Sequence, residues 1–287
     1  VSLLYALCPL PFSVFYLWLK SLRPLRLRGE HPAVPVSYLG HSQIFSGIAI
    51  EVSLIAGEKH QKLQYELKDK KLMIKVDMHI HTSYSPDSLL PIDDLLRTCD
   101  GKGIDCVAVV DHDTAEGGLK LYELAPSKII VGEEIHTTLG EIIGLFLKEN
   151  IQPWLSPMET VERIKAQGGL VYLPHPFDGM RAAVLERQAL DEIWEKIDIV
   201  EVFNSRNVFP WSNWKASSFA VEKGIVSGAG SDAHTRFEVG RAYVMMESFD
   251  SAADFLSKLA RAEIRGRKTP VVFNLLNKVY KIVRGIG

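Results

Sequence analysis

Between residues 72 and 246 eight short apolar runs recur: LMIKVDMHI, IDCVAVV, KIIVGEEI, EIIGLFL, GLVYLP, IDIVEVF, GIVSGAG and AYVMM. Helix-patterned segments such as PIDDLLRTCDGKG, SPMETVERIKAQGG and NWKASSFAVEKG separate most of them. Pro91 and Pro157 sit near helix starts, and Gly101, Gly103, Gly168, Gly169 and Gly224 sit at helix ends. A chain that repeats strand, helix, strand this often must bury both faces of a mainly parallel sheet, open or closed into a barrel.

Acids and imidazoles gather at the C-terminal ends of these runs. The first run leads into DMHIHTSYSPD, where His79 and His81 alternate on one face of a strand and the following turn can return Asp87 toward them. The second ends in Asp111, His112 and Asp113, and the third carries Glu133, Glu134 and His136, with Glu141 just beyond. Later ends bring His175, then Glu201, Asn204 and Arg206, then Asp232 and His234. In a parallel barrel such ends converge on one mouth, where active sites are built. Carboxylates mixed with imidazoles, and no thiolate, suit Zn²⁺, Mn²⁺ or Fe²⁺, and so many ligands imply two or three ions.

Other chemistries lack their residues. No phosphate-cradling glycine loop or dinucleotide fingerprint is present. Cys8, Cys99 and Cys106 have no CxxC spacing, which argues against a disulfide framework and for a reducing, cytoplasmic setting. A net charge of −2 gives no global basic field for a nucleic-acid backbone.

The motifs DMHIHTSYSPD, VVDHD, GEEI, LPHPF and SDAH occur in the order of the PHP (polymerase and histidinol phosphatase) family, and the chain resembles that family over residues 73–266. The resemblance implies a distorted seven-stranded α/β barrel, TIM-barrel-like, with a multinuclear centre that hydrolyses phosphoesters by a metal-activated hydroxide. It implies that His79 and His81 hold one ion with Asp232. Glu134 would bridge to a second ion also held by His175, and Asp87, His112 and His234 would hold a third. Glu141 departs from the pattern, standing where many members have a histidine; a carboxylate there favours a harder ion such as Mn²⁺ or Fe²⁺.

Asp111 reads as a residue that orients a ligand, Glu134 rather than Glu133 as the one facing the mouth, and His136 as a substrate contact. Arg206, with Arg236 and Arg241 as further candidates, is expected to take phosphate oxygens. Trp211 and Trp214 read as helix packing. The short interval from Glu141 to His175 leaves no lid, so a small phosphomonoester is the expected substrate, ahead of nucleic acid. Alternatives are a PHP-type nuclease or nucleotide phosphatase, an amide or ring hydrolase, and a catalytically silent binding module. Residues 1–72 read as an N-terminal extension outside the domain, since Met73, the first methionine, directly precedes the ligand strand; membrane contact is expected only if that extension is native. Residues 267–287 read as an amphipathic tail, expected to cover the barrel.

Overall fold

The computed structural model describes residues 73–181 and 183–273. The N-terminal extension with its membrane question and most of the C-terminal tail therefore lie outside the described residues. Among those described, no helix is long and apolar enough to cross a membrane.

Among the described residues nine strands form one sheet, β1 (Met73–Ile80), β2 (Cys106–Val109), β3 (Ile129–Thr137), β4 (Gly140–Leu145), β5 (Leu170–Leu173), β6 (Ile199–Asn204), β7 (Val226–Gly230), β8 (Ala242–Glu247) and β9 (Glu263–Gly266). Their spatial order is β7-β6-β5-β4-β3-β2-β1-β8-β9. The helices are α1 (Ile92–Lys102), α2 (Glu116–Leu124), α3 (Pro157–Ala166), α4 (Arg187–Ile193), α5 (Pro210–Lys223) and α6 (Ala252–Leu259).

The sheet corrects the expected seven-stranded count, because β8 and β9 extend it antiparallel from β1. The β9 segment EIRG is mostly exposed, so no buried alternating pattern marks it. The mainly parallel expectation also needs amending. Pairs β1–β2, β2–β3, β5–β6 and β6–β7 are parallel, but β3–β4 and β4–β5 are antiparallel. Only Thr138 and Leu139 join β3 to β4, with Thr137 opposite Gly140; a link this short allows a hairpin and no crossover.

The curved sheet nearly closes on itself. Beyond β7, Ala233 bridges Ile80 in parallel, the His81 N–H donates to the Ala233 carbonyl at 2.9 Å, and the Ser231 N–H donates to Asp77 Oδ1 at 2.9 Å. One apolar cluster fills the concave side, including Val76, Met78, Ala108, Val110, Ile143 and Tyr172, with Phe255 and Leu259 of α6 joining it. A second, with Val107, Val109, Val131, Ile164, Val171 and Val200, packs the sheet against the helices. Each fully buried aliphatic side chain contributes roughly 1.5–3 kcal/mol, so these layers hold the barrel while its mouth stays polar.

Helix ends follow local chemistry. Ser156 caps α3 in a reciprocal pair with Glu159, and Pro157 opens the helix. Gly103 and Gly224 end α1 and α5 in the left-handed region, at φ 64° and 66°. Trp211 and Trp214 lie off the buried face of α5, contrary to expectation: both are exposed, Trp211 stacking on Phe209 with centroids 4.2 Å apart, and the buried face uses Ser212, Asn213, Ala216 and Ala220.

The seam between β1 and β7 depends on a glycine. A Cβ at Gly230 would collide with Cβ of His79, whereas one at Gly224 meets nothing within 4 Å and costs only its positive φ. Gly230→Ala should destabilise the fold by the larger amount, about 1–3 kcal/mol against about 1 kcal/mol for Gly224→Ala. Equal losses in thermal unfolding would show that this close approach does not limit stability.

Candidate metal centre

A register irregularity lies between Asp77 and Ile80 of β1, where the His79 N–H turns to Asp77 Oδ1 at 3.4 Å. Before it, Val76 and Met78 face the concave cluster; after it, His79 and His81 take that direction at the mouth, and both are fully buried. On β3, Gly132 and Glu134 share a side while Glu133 points the other way and accepts the Ile151 N–H at 2.8 Å. Burial pushes the Glu133 carboxyl up to about 8, a carboxyl outside the mouth as the sequence implied.

The six histidines among the described residues form one contiguous group. Ring centroids are 5.1 Å apart for His79 and His81, 4.5 Å for His81 and His112, 4.4 Å for His81 and His234, and 5.7 Å for His79 and His175. Among the described residues five sets of ligand-type atoms lie mutually within 4.8 Å: His81, Asp87, His112 and His234; His79, His81 and Asp232; His79, His175 and Glu201; His112, His136 and Glu141; Glu134, Glu141 and His175. All nine residues expected as ligands are thus brought together.

Two tautomers can be assigned from their partners. Nδ1 of His79 lies 3.0 Å from Glu201 Oε1, a carboxylate that can only accept, so Nδ1 carries the proton. The Ser85 hydroxyl donates to Asp111 Oδ1 at 2.9 Å, so it accepts from Nδ1–H of His81 at 3.0 Å. The two Nε2 atoms then face each other at 3.0 Å. Around them stand Glu134 Oε2, at 3.4 and 3.2 Å, and Asp232 Oδ1, at 3.9 and 3.7 Å, which accepts no hydrogen bond. A proton on one nitrogen relieves only the histidine pair. A divalent cation satisfies both nitrogens and both carboxylates together, so the donor set fits a metal.

The titration behaviour has the same origin. Burial opposes charge on His79, but Glu201, Glu134 and Asp232 outweigh it and raise its pKa well above the usual value. Burial and the neighbouring His234 and His112 push His81 well below. Burial raises Glu134, yet the imidazoles of His79 and His112 hold it well below the carboxylate range. Asp232 is likewise held low against burial, chiefly by Arg181.

A layer of acceptors fixes these groups from behind. Glu201 takes four donors: His79 Nδ1, Tyr172 OH at 3.1 Å, the His175 N–H at 2.8 Å and Asn204 Nδ2 at 2.9 Å. Asp111 accepts from the Thr82 N–H at 2.6 Å, Thr82 Oγ1 at 2.7 Å and Ser85, and so orients His81 through Ser85. Asp113, His175 and Asp232 hold left-handed backbone, at φ 58°, 29° and 54°, strain that such a packed network sustains.

The arginines fall differently from the sequence reading. Arg206 is only 8% exposed, with Nη1 2.6 Å from His234 Nδ1 and Nε 3.3 Å from Glu238 Oε1, inside the wall behind His234. Arg236 is exposed, its guanidinium lying over the Phe237 ring at 5.0 Å, and Arg241 donates to the Lys268 carbonyl at 2.9 Å. Arg181, absent from the sequence reading, pairs with Asp232 Oδ2 and Asp178 and is 25% exposed. His136 is held between Asp113 Oδ2 and Glu141 Oε1, both at 2.9 Å, and these hydrogen bonds, Asp113 first, raise it to about 10. Glu201 and Asp77 were also missed as organising acceptors; their signal was a carboxylate at a strand end and one opening the His-x-His run.

Comparison with known proteins gives a consistent relationship. The model described as "PHP domain" matches residues 77–198, and "PHP-associated" matches 210–264. An uncharacterised protein of Methanocaldococcus jannaschii is 42% identical over 46% of this chain and 82% of its own length. A two-domain protein of Bacteroides vulgatus containing a "predicted PHP-like metal-dependent phosphoesterase" aligns with TM-score 0.56 and 17% identity, over 69% of this chain and 66% of that one. Endonuclease Q, in complex with a 27-mer duplex substrate bearing an abasic lesion, aligns with TM-score 0.50 and 15% identity over 69% and 60%. The chain thus spans less than two thirds of both solved proteins, and these two similarities are of fold.

If Glu201 works by presenting His79, Glu201→Gln should weaken divalent-metal binding about 10- to 100-fold in a chelator-competition titration. His81→Ala should remove bound ion outright, read as metal content per chain, with the domain still folded by circular dichroism. Unchanged metal affinity in Glu201→Gln would remove Glu201 from that role.

Proposed function

The chain belongs to the PHP domain family, and from that premise we propose that it is a metal-dependent phosphoesterase acting on small phosphomonoesters. Two or three divalent ions would be held by His79, His81, Asp87, His112, Glu134, Glu141, His175, Asp232 and His234. The observation that carries the reading is the facing pair of imidazole nitrogens, ringed by carboxylates, with the Arg181 guanidinium beside them. Bound divalent ions lower the pKa of water and neutralise phosphate oxygens.

The chain's own groups supply the rest. Arg181 is anchored by Asp178 and points its donors at Asp232 Oδ2, so a phosphate arriving there finds a permanent cation with a planar fork. Arg206 steadies His234 from within the wall, and Asp111 steadies His81. His136 gives both ring N–H groups to carboxylates, Asp113 and Glu141, and so braces Glu141 at the rim. Glu141 adds a hard oxygen to the donor set, which favours Mn²⁺ or Fe²⁺ over Zn²⁺. Between Glu141 and His175 stand only the rest of β4, one loop, α3 and β5, too little to clamp a polymer, which supports a small phosphorylated substrate over nucleic acid.

Inorganic phosphate release from a panel of phosphomonoesters, a phosphodiester and a 5′-phosphorylated oligonucleotide, after loading with Mn²⁺, Fe²⁺ or Zn²⁺, tests this. Monoesters should be hydrolysed fastest; faster trimming of the oligonucleotide would favour a nuclease. Arg181→Gln, compared with the wild type at equal metal loading, should lower kcat/KM about 10- to 100-fold, as expected for a lost charge-assisted hydrogen bond.

A further inference from the structure

Trp154 is the least explained side chain near the mouth. It is a bulky residue in left-handed backbone, at φ 65°, a conformation that costs free energy for any residue but glycine. It is also 66% exposed, so packing does not repay that cost. Its indole stacks on His136, with centroids 5.6 Å apart and planes inclined by 24°, and His136 in turn lies 5.3 Å from the His112 ring. The indole is therefore two ring contacts from the proposed ligands.

The loop that carries it is firmly tied. The Trp154 N–H donates to the His136 carbonyl at 2.6 Å and the Thr138 N–H to the Leu155 carbonyl at 2.9 Å. The Ile151 N–H donates to Glu133, the Lys148 and Glu149 N–H groups donate to Gln167 Oε1, and Asn150 Oδ1 accepts from the Ala115 N–H. One face of the ring is thus fixed on an imidazole held by two carboxylates, and the other is open to solvent. A rigid, open aromatic face binds a flat ring with little loss of side-chain entropy.

We propose that Trp154 is a stacking platform for a planar ring carried by the phosphoester, so that the preferred substrates are nucleotides rather than sugar phosphates. The inference rests on the phosphoesterase reading for the position of the phosphate. Base-on-indole stacking accounts for about a five- to 150-fold preference.

The test compares adenosine 5′-monophosphate with ribose 5-phosphate, which lacks the base, in the wild type, Trp154→Ala and Trp154→Phe. The wild type should prefer the nucleotide in kcat/KM, mainly through KM. The nucleotide-to-sugar ratio should fall at least fivefold in Trp154→Ala and largely return in Trp154→Phe. An unchanged ratio in Trp154→Ala, including an equal loss on both substrates, would overturn the platform. If neither ester is hydrolysed, the phosphomonoester panel decides the phosphoesterase reading, and equilibrium dialysis of the same two ligands on the metal-loaded protein decides the platform: base-dependent binding lost in Trp154→Ala supports it, and no base preference overturns it.

Discussion

Nε2 of His79 and Nε2 of His81 meet at 3.0 Å, and much of the surrounding structure serves to hold them so. Neither ring can turn away. Glu201 grips one through Nδ1, and Ser85, itself donating to Asp111, grips the other. Placing two acceptors and two carboxylates around one point in a dry interior is costly unless a cation occupies it. The cost is carried by the apolar layers on both sides of the sheet, which hold the strand ends in place.

The barrel closure and the site are one piece of construction. The seam hydrogen bonds run from His81 N–H to Ala233 and from Ser231 N–H to Asp77, so β1 delivers its imidazoles and receives the Asp232–His234 turn with the same backbone. Gly230 permits this approach by having no side chain to meet His79. Asp232, at φ 54°, offers Oδ2 to Asn204 and Arg181 while Oδ1 faces the histidines. One aspartate thereby ties the phosphate-facing arginine to the ion-facing nitrogens.

What the sequence made legible follows from which signals are local. Strand alternation revealed eight of the nine strands, and the placement of acids and imidazoles at their ends revealed the ligand group, because periodicity and spacing are properties of contiguous residues. The antiparallel hairpin at Thr138–Leu139 was written in its length, but two residues are easily overlooked beside a strong βα rhythm. Helix α2 opens on Gly117 and Gly118, poor helix formers, where Gly118 lets the helix lie against Val131. Arg181 and Arg206 could not be ranked: which guanidinium meets the mouth depends on contacts with Asp232 and Glu238, tens of residues away. Glu201 looked like one more acid at a strand end, and only its four donors reveal that it orients a ligand instead of competing for the ion.

The most direct measurement is anomalous diffraction from crystals of the metal-loaded protein. The expected map has a peak bonded to Nε2 of both His79 and His81, with Asp232 or Glu134 completing its contacts and Glu201 still on Nδ1 of His79. A fully loaded crystal with no peak between those two nitrogens, or with the ion on Glu201 and His79 unbound, would contradict the assignment of this cluster as the metal centre.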